Sequence, residues 1–251
     1  DLLWMEDILL LEKMTRKVEP LMDEENAILL VYRKITWELL LQLFDLEKLI
    51  EIDRIVFYDD ANRLEESFVE KGISFPKIQV GNFPEQLAEL LGSFYRKRIQ
   101  MHVEYQERAQ KYYQENSEEV LEHIRKGRPK IFFITSRFTT ALQYHARDCK
   151  RAAEQMGLQT EFSIEEDRIL TKGSAFFDLK KIAEFQPDII FMLDHFRYEN
   201  RFLDGMDGVV CVCWIQDTLP WIFSKETALK QKERDVVISI FWNWEGFQKI
   251  G

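Results

Sequence analysis

The feature that most constrains the fold is an alternation, in the second half of the chain, of short apolar runs with amphipathic stretches of helical length. The runs are rich in Val, Ile and Phe, which favour buried strands. They are IFFIT (131–135), QTEFSI (159–164), DIIFML (188–193), VVCVCWI (209–215) and DVVISIF (235–241). Helices are predicted between them, over 139–156, 176–185 and around 221–231. Continuously apolar strands separated by helices are typical of a parallel sheet covered on both faces. We therefore predict a doubly wound, mostly parallel, Rossmann-like α/β fold for residues 127–251.

The first half of the chain has a different pattern, in which apolar residues recur at three- and four-residue spacing. This spacing predicts amphipathic helices. Helices are predicted over 2–14, 35–52, 61–71, 83–115 and 117–126, and short strands over 27–32, 54–58 and 77–80. The KGRPK stretch at 126–130 then breaks the helical pattern with Gly and Pro. We predict two regions: a helix-rich region with a small αβ unit (1–126) and the Rossmann-like domain (127–251).

Composition narrows the classes of partner. The formal charge of −10 argues against a broad surface for nucleic acid or anionic membrane, since such surfaces are built from clustered Lys and Arg. The chain contains no run of about 18 apolar residues that would predict a membrane helix, and its first residues lack the basic start of a signal peptide. Three cysteines, two of them in an apolar run, favour reduced core thiols and a cytoplasmic location. The long helices over 83–125 allow an oligomer.

Polar clusters follow four of the predicted strands. They are SRFTT (136–140), DHFRYEN (194–200), QDTLPW (216–221) and FWNWEG (241–246). Ligands of open parallel sheets bind beyond the carboxyl ends of the strands, so these clusters are the candidate site. The hydroxyls of Ser136 and Thr139 either cap the following helix or bind, with Arg137, a phosphate or a sugar.

The remaining clusters carry acids, bases and an aromatic platform. Asp194 and His195 provide acid and base groups in one loop, although a lone loop histidine is more often structural. Gln216 and Asp217 are polar groups delivered to the crevice edge that strand packing does not explain. Trp242 either packs in the core or forms a sugar platform.

The sequence predicts neither a metal site nor a cofactor. The four histidines have no HxH or HExxH spacing, and Cys211 and Cys213 alternate across a strand. There is no GxGxxG or GxxxxGK[ST] motif, so neither a dinucleotide nor an ATP site is predicted.

Three stretches, IFFITSRFTTALQYHARDCKRAAEQMG, FQPDIIFMLDHFR and VVCVCWIQDTLPWIF, carry a family resemblance. In order and spacing they resemble the amino-terminal Rossmann-like domain of bacterial glycosyltransferase-like proteins of GT-B architecture, and most of all the CgeB-type spore-maturation proteins. The resemblance covers residues 128–251. It implies an enzyme that transfers a sugar from a nucleotide-sugar donor to an acceptor in a cleft between two domains. The carboxy-terminal donor-binding half of that architecture is expected to be missing from this chain.

Strand-end position and the resemblance together suggest roles for the residues. The candidates for the catalytic base or for acceptor contacts are Asp194, His195 and Asp217. The candidate substrate-binding residues are Ser136, Arg137, Thr139, Arg197, Gln216 and Trp242. Two alternatives stay open: a non-catalytic scaffold that assembles through the helices of 83–125, and, with less support, a small-molecule sensor.

Overall fold

The computed structural model of the protein describes residues 2–4, 28–31, 55–58, 65–70, 79–80, 85–135, 140–164, 174–217 and 224–239. The chain divides into two compact units, residues 1–101 with 166–174 and residues 102–165 with 175–251. The division at 101–102 falls within a long helix, Glu85–Glu115. The domain boundary at 126–127 stays a prediction.

The first unit contains a four-stranded parallel sheet. Its strands are β1 (Leu2–Trp4), β2 (Ile28–Val31), β3 (Ile55–Tyr58) and β4 (Gln79–Val80), in the order β3-β2-β1-β4. Of the helix predicted over 61–71, the structure describes residues 65–70, which are helical and include a single π-helical turn, Glu66–Glu70. The three strands predicted in this region are confirmed.

The helix predicted over 2–14 is wrong at its start, because Leu2–Trp4 is a central strand. Leu2 pairs with Leu29 on one side and with Gln79 on the other. Short apolar runs are compatible with either a helix or a strand. Here β2 and β4 supply backbone hydrogen-bond partners on both sides of Leu2–Trp4, which favours the strand. The helix predicted over 35–52 lies outside the described residues.

The second unit is built on a five-stranded sheet in which every pair is parallel, in the order β6-β5-β7-β8-β9. The strands are β5 (Ile131–Thr135), β6 (Thr160–Ile164), β7 (Ile189–Leu193), β8 (Val210–Ile215) and β9 (Asp235–Ser239). The described helices are α1 (Glu85–Glu115), α2 (Ser117–Arg125), α3 (Thr140–Gln155), α4 (Ser174–Phe185) and α5 (Lys225–Leu229). Two 3₁₀ turns, Arg197–Glu199 and Arg201–Leu203, connect β7 to β8.

The predicted α/β class with a parallel sheet is confirmed, and the arrangement is consistent with a Rossmann-like fold. The assignment to the GT-B type stays a prediction. Within the described residues, no helix combines the length and the apolar content needed to span a bilayer.

Both faces of the sheet are packed, which explains why its strands read as continuous apolar runs. On one face, Leu142 and Ala146 of α3 pack with Leu193 of β7. On the other face, side chains from the end of α1, from α2, α4 and the 3₁₀ turns form the larger core with the strands. The buried members of that core include Tyr113, Val120, Phe132, Leu179, Ile190, Leu203 and Met206. Each buried aliphatic or phenyl side chain contributes about 1.5–3 kcal/mol.

A buried carboxylate, Asp188, organises the amino edge of this sheet. Its Oδ2 accepts from the backbone N–H of Lys130 (2.7 Å), and its Oδ1 lies 3.0 Å from Nδ1 of His123 on α2. The backbone N–H of Asp188 donates to the Lys130 carbonyl, and its carbonyl accepts from the N–H of Val210. One residue therefore connects β5, β7 and β8 with α2.

We expect Asp188→Ala to lower the free energy of opening of the β5 and β7 amides by about 3 kcal/mol, because it removes the buried acceptor of two part-buried donors, Lys130 N–H and His123 Nδ1. Native-state hydrogen exchange of those amides measures the effect locally. Asp188→Asn keeps one acceptor oxygen, so it should lower the free energy of opening by less than Asp188→Ala does. The control, Asp207→Ala, removes an exposed ion pair with Lys232 and should cost about 0.5 kcal/mol or less. Equal losses in the Asp188→Ala and Asp207→Ala proteins would contradict this organising role.

Candidate functional site

The strand order creates a switch point between β5 and β7. The chain leaves β5 through α3 to reach β6 on one side, and returns through α4 to β7 on the other side. In open parallel sheets the crevice at the carboxyl edge of such a point is where ligands bind. Thr135 ends β5 at this edge, and Asp194 directly follows β7.

Asp194 is held at the switch point by the end of β8. Its N–H donates to the Trp214 carbonyl at 3.1 Å. Its Oδ1 accepts from the N–H groups of Gln216 (2.6 Å) and Asp217 (3.2 Å). The residue is 5% exposed and has a φ of 54°, a left-handed conformation that aspartate tolerates better than most side chains. Such residues cost about 1–3 kcal/mol and cluster at functional sites.

Three buried polar atoms at this edge have no hydrogen-bond partner in the part of the chain that the structure describes. They are Thr135 Oγ1, Asp194 Oδ2 and Gln216 Nε2. Leaving a buried polar group unpaired costs about 1–3 kcal/mol. Most buried polar atoms in proteins are paired, so unpaired atoms at the carboxyl ends of three neighbouring strands indicate a place where a ligand or water completes the set.

An aromatic pair stands beside these atoms. The imidazole of His145 on α3 stacks on the indole of Trp214, with ring centroids 6.0 Å apart and planes at 24°. The Nδ1–H of His145 donates to Oε1 of Gln216 at 2.5 Å. Trp214 in turn packs edge-on against Phe191, with ring centroids 6.4 Å apart and planes at 72°. The edge thus combines a carboxylate, a carboxamide and a ring surface.

Sequence reasoning assigned no site role to His145 or Trp214. His145 lies 71 residues from its partner Gln216, so no local motif joins them. One signal was available: side chains alternate along a strand, which places Trp214 of β8 and Gln216, the residue directly after β8, on the same face of the sheet. That face is the one that α3 covers.

Two predicted catalytic residues differ in surroundings from Asp194. The side chain of His195 is 50% exposed, and its Nδ1 lies 3.2 Å from Oε2 of Glu199. Glu199 also accepts from the N–H of Phe196 at 2.8 Å, so this pair shapes the turn after β7. Asp217 is exposed at the end of β8, and its N–H is bound to Asp194.

Arg197, a predicted substrate contact, is buried with all three guanidinium nitrogens bound to the protein. Its Nε donates to Oδ1 of Asp235 (2.6 Å), and its other nitrogens donate to the carbonyls of Met206 (2.8 Å) and Val209 (2.7 Å). Asp235 begins β9 and Val209 precedes β8. Arg197 therefore fixes the amino ends of two strands.

The other predicted contacts, Ser136, Arg137, Thr139 and Trp242, lie outside the described residues. Within the ranges that the structure describes, no group of three His, Cys, Asp or Glu side chains is arranged to hold a metal ion.

Fold and site together define a parallel α/β protein with an incompletely paired polar cluster at its switch point. Comparison of the chain with protein-family models, with characterised proteins and with solved structures finds no match.

Two thiols lie on β8 beneath this edge. Burial raises the pKa of Cys211 to about 12. Burial and the nearby carboxylates of Asp194 and Glu199 raise the pKa of Cys213 further. Burial and Asp148 also raise the pKa of Cys149, which is only half-buried on α3. Thiols with raised pKa values stay protonated at pH 8 and lack the reactive thiolate.

We expect Cys211 and Cys213 in the native protein to resist a disulfide reagent such as dithionitrobenzoate at pH 8, while Cys149 reacts slowly. Unfolding in urea should release all three thiols. The Cys149→Ser protein is the control, and it should show no native reaction. Rapid native labelling of Cys211 or Cys213, located by mass spectrometry, would contradict the burial of β8.

Proposed function

We propose that the second unit is the acceptor-side, Rossmann-like domain of a glycosyltransferase that uses a nucleotide-sugar donor, of the GT-B and CgeB-type class that the sequence resembles. One observation carries the proposal: the buried carboxylate of Asp194 lies at the switch point, with Oδ1 hydrogen-bonded to backbone N–H groups and Oδ2 unpaired. A cytoplasmic location belongs to the same proposal and is supported by three free cysteines.

The chemistry of transfer needs a base beside the acceptor hydroxyl. In the proposed step, the acceptor O–H donates to Oδ2 of Asp194. The hydroxyl oxygen then bonds to the anomeric carbon while its proton passes to Oδ2. The bond from that carbon to the nucleotide phosphate breaks, and the electron pair leaves with the phosphate. The two N–H donors on Oδ1 hold the carboxylate in one orientation throughout.

The neighbouring groups are suited to a sugar. Sugar rings stack on aromatic faces, and the exposed imidazole of His145, stacked on Trp214, offers such a face. The unpaired amide nitrogen of Gln216 can donate to a hydroxyl oxygen. These features support a polyhydroxylated substrate over an apolar one.

The departing phosphate requires donors of its own. Ser136, Arg137 and Thr139 are the proposed contacts, because they belong to the segment between the end of β5 and the start of α3, where helix N–H groups attract anions. Trp242 stays a proposed contact on the resemblance and strand-end position alone. His195 and Asp217 stay alternatives to Asp194 as the base.

The test is release of nucleotide from UDP-glucose, UDP-N-acetylglucosamine, GDP-mannose and dTDP-glucose by the full-length protein. We expect Asp194→Asn to lower kcat by about 100- to 10,000-fold with little change in KM, which is the usual effect of losing a general base. Asparagine keeps the oxygen that accepts from Gln216 and Asp217, so the edge should stay folded.

Asp148→Asn, an exposed change on α3, is the matched control and should retain full turnover. A large loss in Asp217→Asn or His195→Ala, with Asp194→Asn unaffected, would move the base to that residue. No nucleotide release from any of the four donors would refute the transferase assignment.

A second candidate, a non-catalytic assembly protein, is favoured by one separate observation. Ile99 and Val103 lie one turn apart on α1 and are each 47% exposed. Apolar side chains spaced four apart on an exposed helix face are the pattern that helix association uses.

If the helix mediates assembly, the double change Ile99→Glu and Val103→Glu should lower the molar mass measured by light scattering to that of one chain. Glu107→Lys, an exposed change farther along α1, should leave the mass unaltered. An unchanged mass in the double variant would count against assembly through α1.

A further inference from the structure

We infer that Thr135 Oγ1, Asp194 Oδ2 and Gln216 Nε2 form one binding set for a neutral ligand with vicinal hydroxyl groups, and that His145 sets its specificity by fixing the orientation of the Gln216 amide. Thr135 and Asp194 are 2% and 5% exposed, and each has an unpaired oxygen at this edge. The set thus combines two buried side chains, Thr135 at the end of β5 and Asp194 after β7, with the half-buried Gln216 after β8, whose Nε2 is itself buried.

His145 acts on the ligand through Gln216. A carboxamide has one end that accepts and one that donates, and the two ends are similar in size. The Nδ1–H of His145 binds the accepting end, Oε1, at 2.5 Å. Nε2 is then the end left unpaired. Stacking on Trp214 holds the imidazole in place for this contact. In the tautomer that carries its hydrogen on Nδ1, His145 is therefore a positioning residue.

The resulting pattern selects a chemical class. The site offers a donor at Gln216 Nε2 and a charged acceptor at Asp194 Oδ2. A phosphate or carboxylate could accept from Nε2 but would be repelled by the Asp194 charge. An ammonium could donate to Oδ2 but could not accept from Nε2. Adjacent hydroxyls do both, since each can donate and accept, and the hydroxyl of Thr135 adds a third contact of either kind.

This inference rests on the proposed function only in taking the carboxyl edge as the ligand site. Direct binding separates the two. If the protein binds a glycoside but releases no nucleotide, the transferase proposal is refuted and this inference is supported. If it releases nucleotide but no glycoside contacts Gln216, this inference is refuted and the transferase proposal is supported.

The experiment is titration of the isotope-labelled protein, followed by the resonances of the Gln216 side-chain NH₂ and the Trp214 indole N–H. The probes are the methyl glycosides of glucose, galactose, mannose and N-acetylglucosamine, then inorganic phosphate and methylammonium at equal concentrations. We expect at least one glycoside to shift both resonances, and the two ions to shift neither.

Two variants of His145 separate its donor from its ring. His145→Phe keeps a ring against Trp214 but loses the donor, so the amide can turn. We expect glycoside affinity to fall about tenfold, the equivalent of one hydrogen bond, and methylammonium binding to appear. His145→Asn keeps a donor at the position of Nδ1 and should restore the preference for the glycoside. Tyr144→Phe, an exposed neighbour on α3, should bind as the wild type does.

Several results would overturn the inference. If phosphate or methylammonium shifts the wild-type resonances as strongly as a glycoside does, the proposed ligand class is refuted. If no glycoside shifts either resonance, the proposed site is refuted. His145→Phe and Tyr144→Phe proteins with equal affinities and equal preferences would remove the positioning role of His145.

Discussion

The second unit depends on the buried carboxylate of Asp188, because that one side chain sets the register at the amino edge of the sheet. Its oxygens are paired with a backbone N–H of the residue before β5 and with the imidazole of His123 on α2. The hydroxyl of Tyr113 binds the carbonyl of the adjacent Pro187 at 2.7 Å, which ties α1 to the same turn. A buried charge is tolerated only when so paired, so helices and strands must meet in this one arrangement.

The carboxyl edge is built on the same principle but is left incomplete. Asp194, like Asp188, is a buried aspartate that accepts from backbone N–H groups of a neighbouring strand. Asp188 has both oxygens paired, whereas Asp194 has one. The difference costs about 1–3 kcal/mol at the second edge, and the left-handed backbone of Asp194 adds a similar amount. The well-paired edge, with Arg197 also bound through all its nitrogens, provides the rigid frame that tolerates this cost.

Most of the fold of the second unit could be predicted, since parallel strands buried on both faces leave a strong signal in the sequence. IFFIT and VVCVCWI became β5 and β8 within one residue of the predicted bounds. The signal fails where local pattern and tertiary pairing disagree. Leu2–Trp4 has a helical apolar spacing but is a strand, because β2 and β4 supply partners on both sides that no local window contains.

The candidate site was harder to predict than the fold, because residue type alone does not tell whether a polar side chain is already paired. Arg197 and Asp194 stand three residues apart in one polar loop, and both read as candidate ligand contacts. The loop turns back after Asp194, so the guanidinium reaches the amino ends of β8 and β9 and is saturated there, while the carboxylate stays at the carboxyl edge. His145 shows the converse: it lies in a helix that reads as amphipathic packing, yet Trp214 and Gln216, on the same face of β8, bring it into the polar cluster. A hydrogen-bond inventory of buried atoms therefore separates unpaired from fully paired polar residues where position at a strand end cannot.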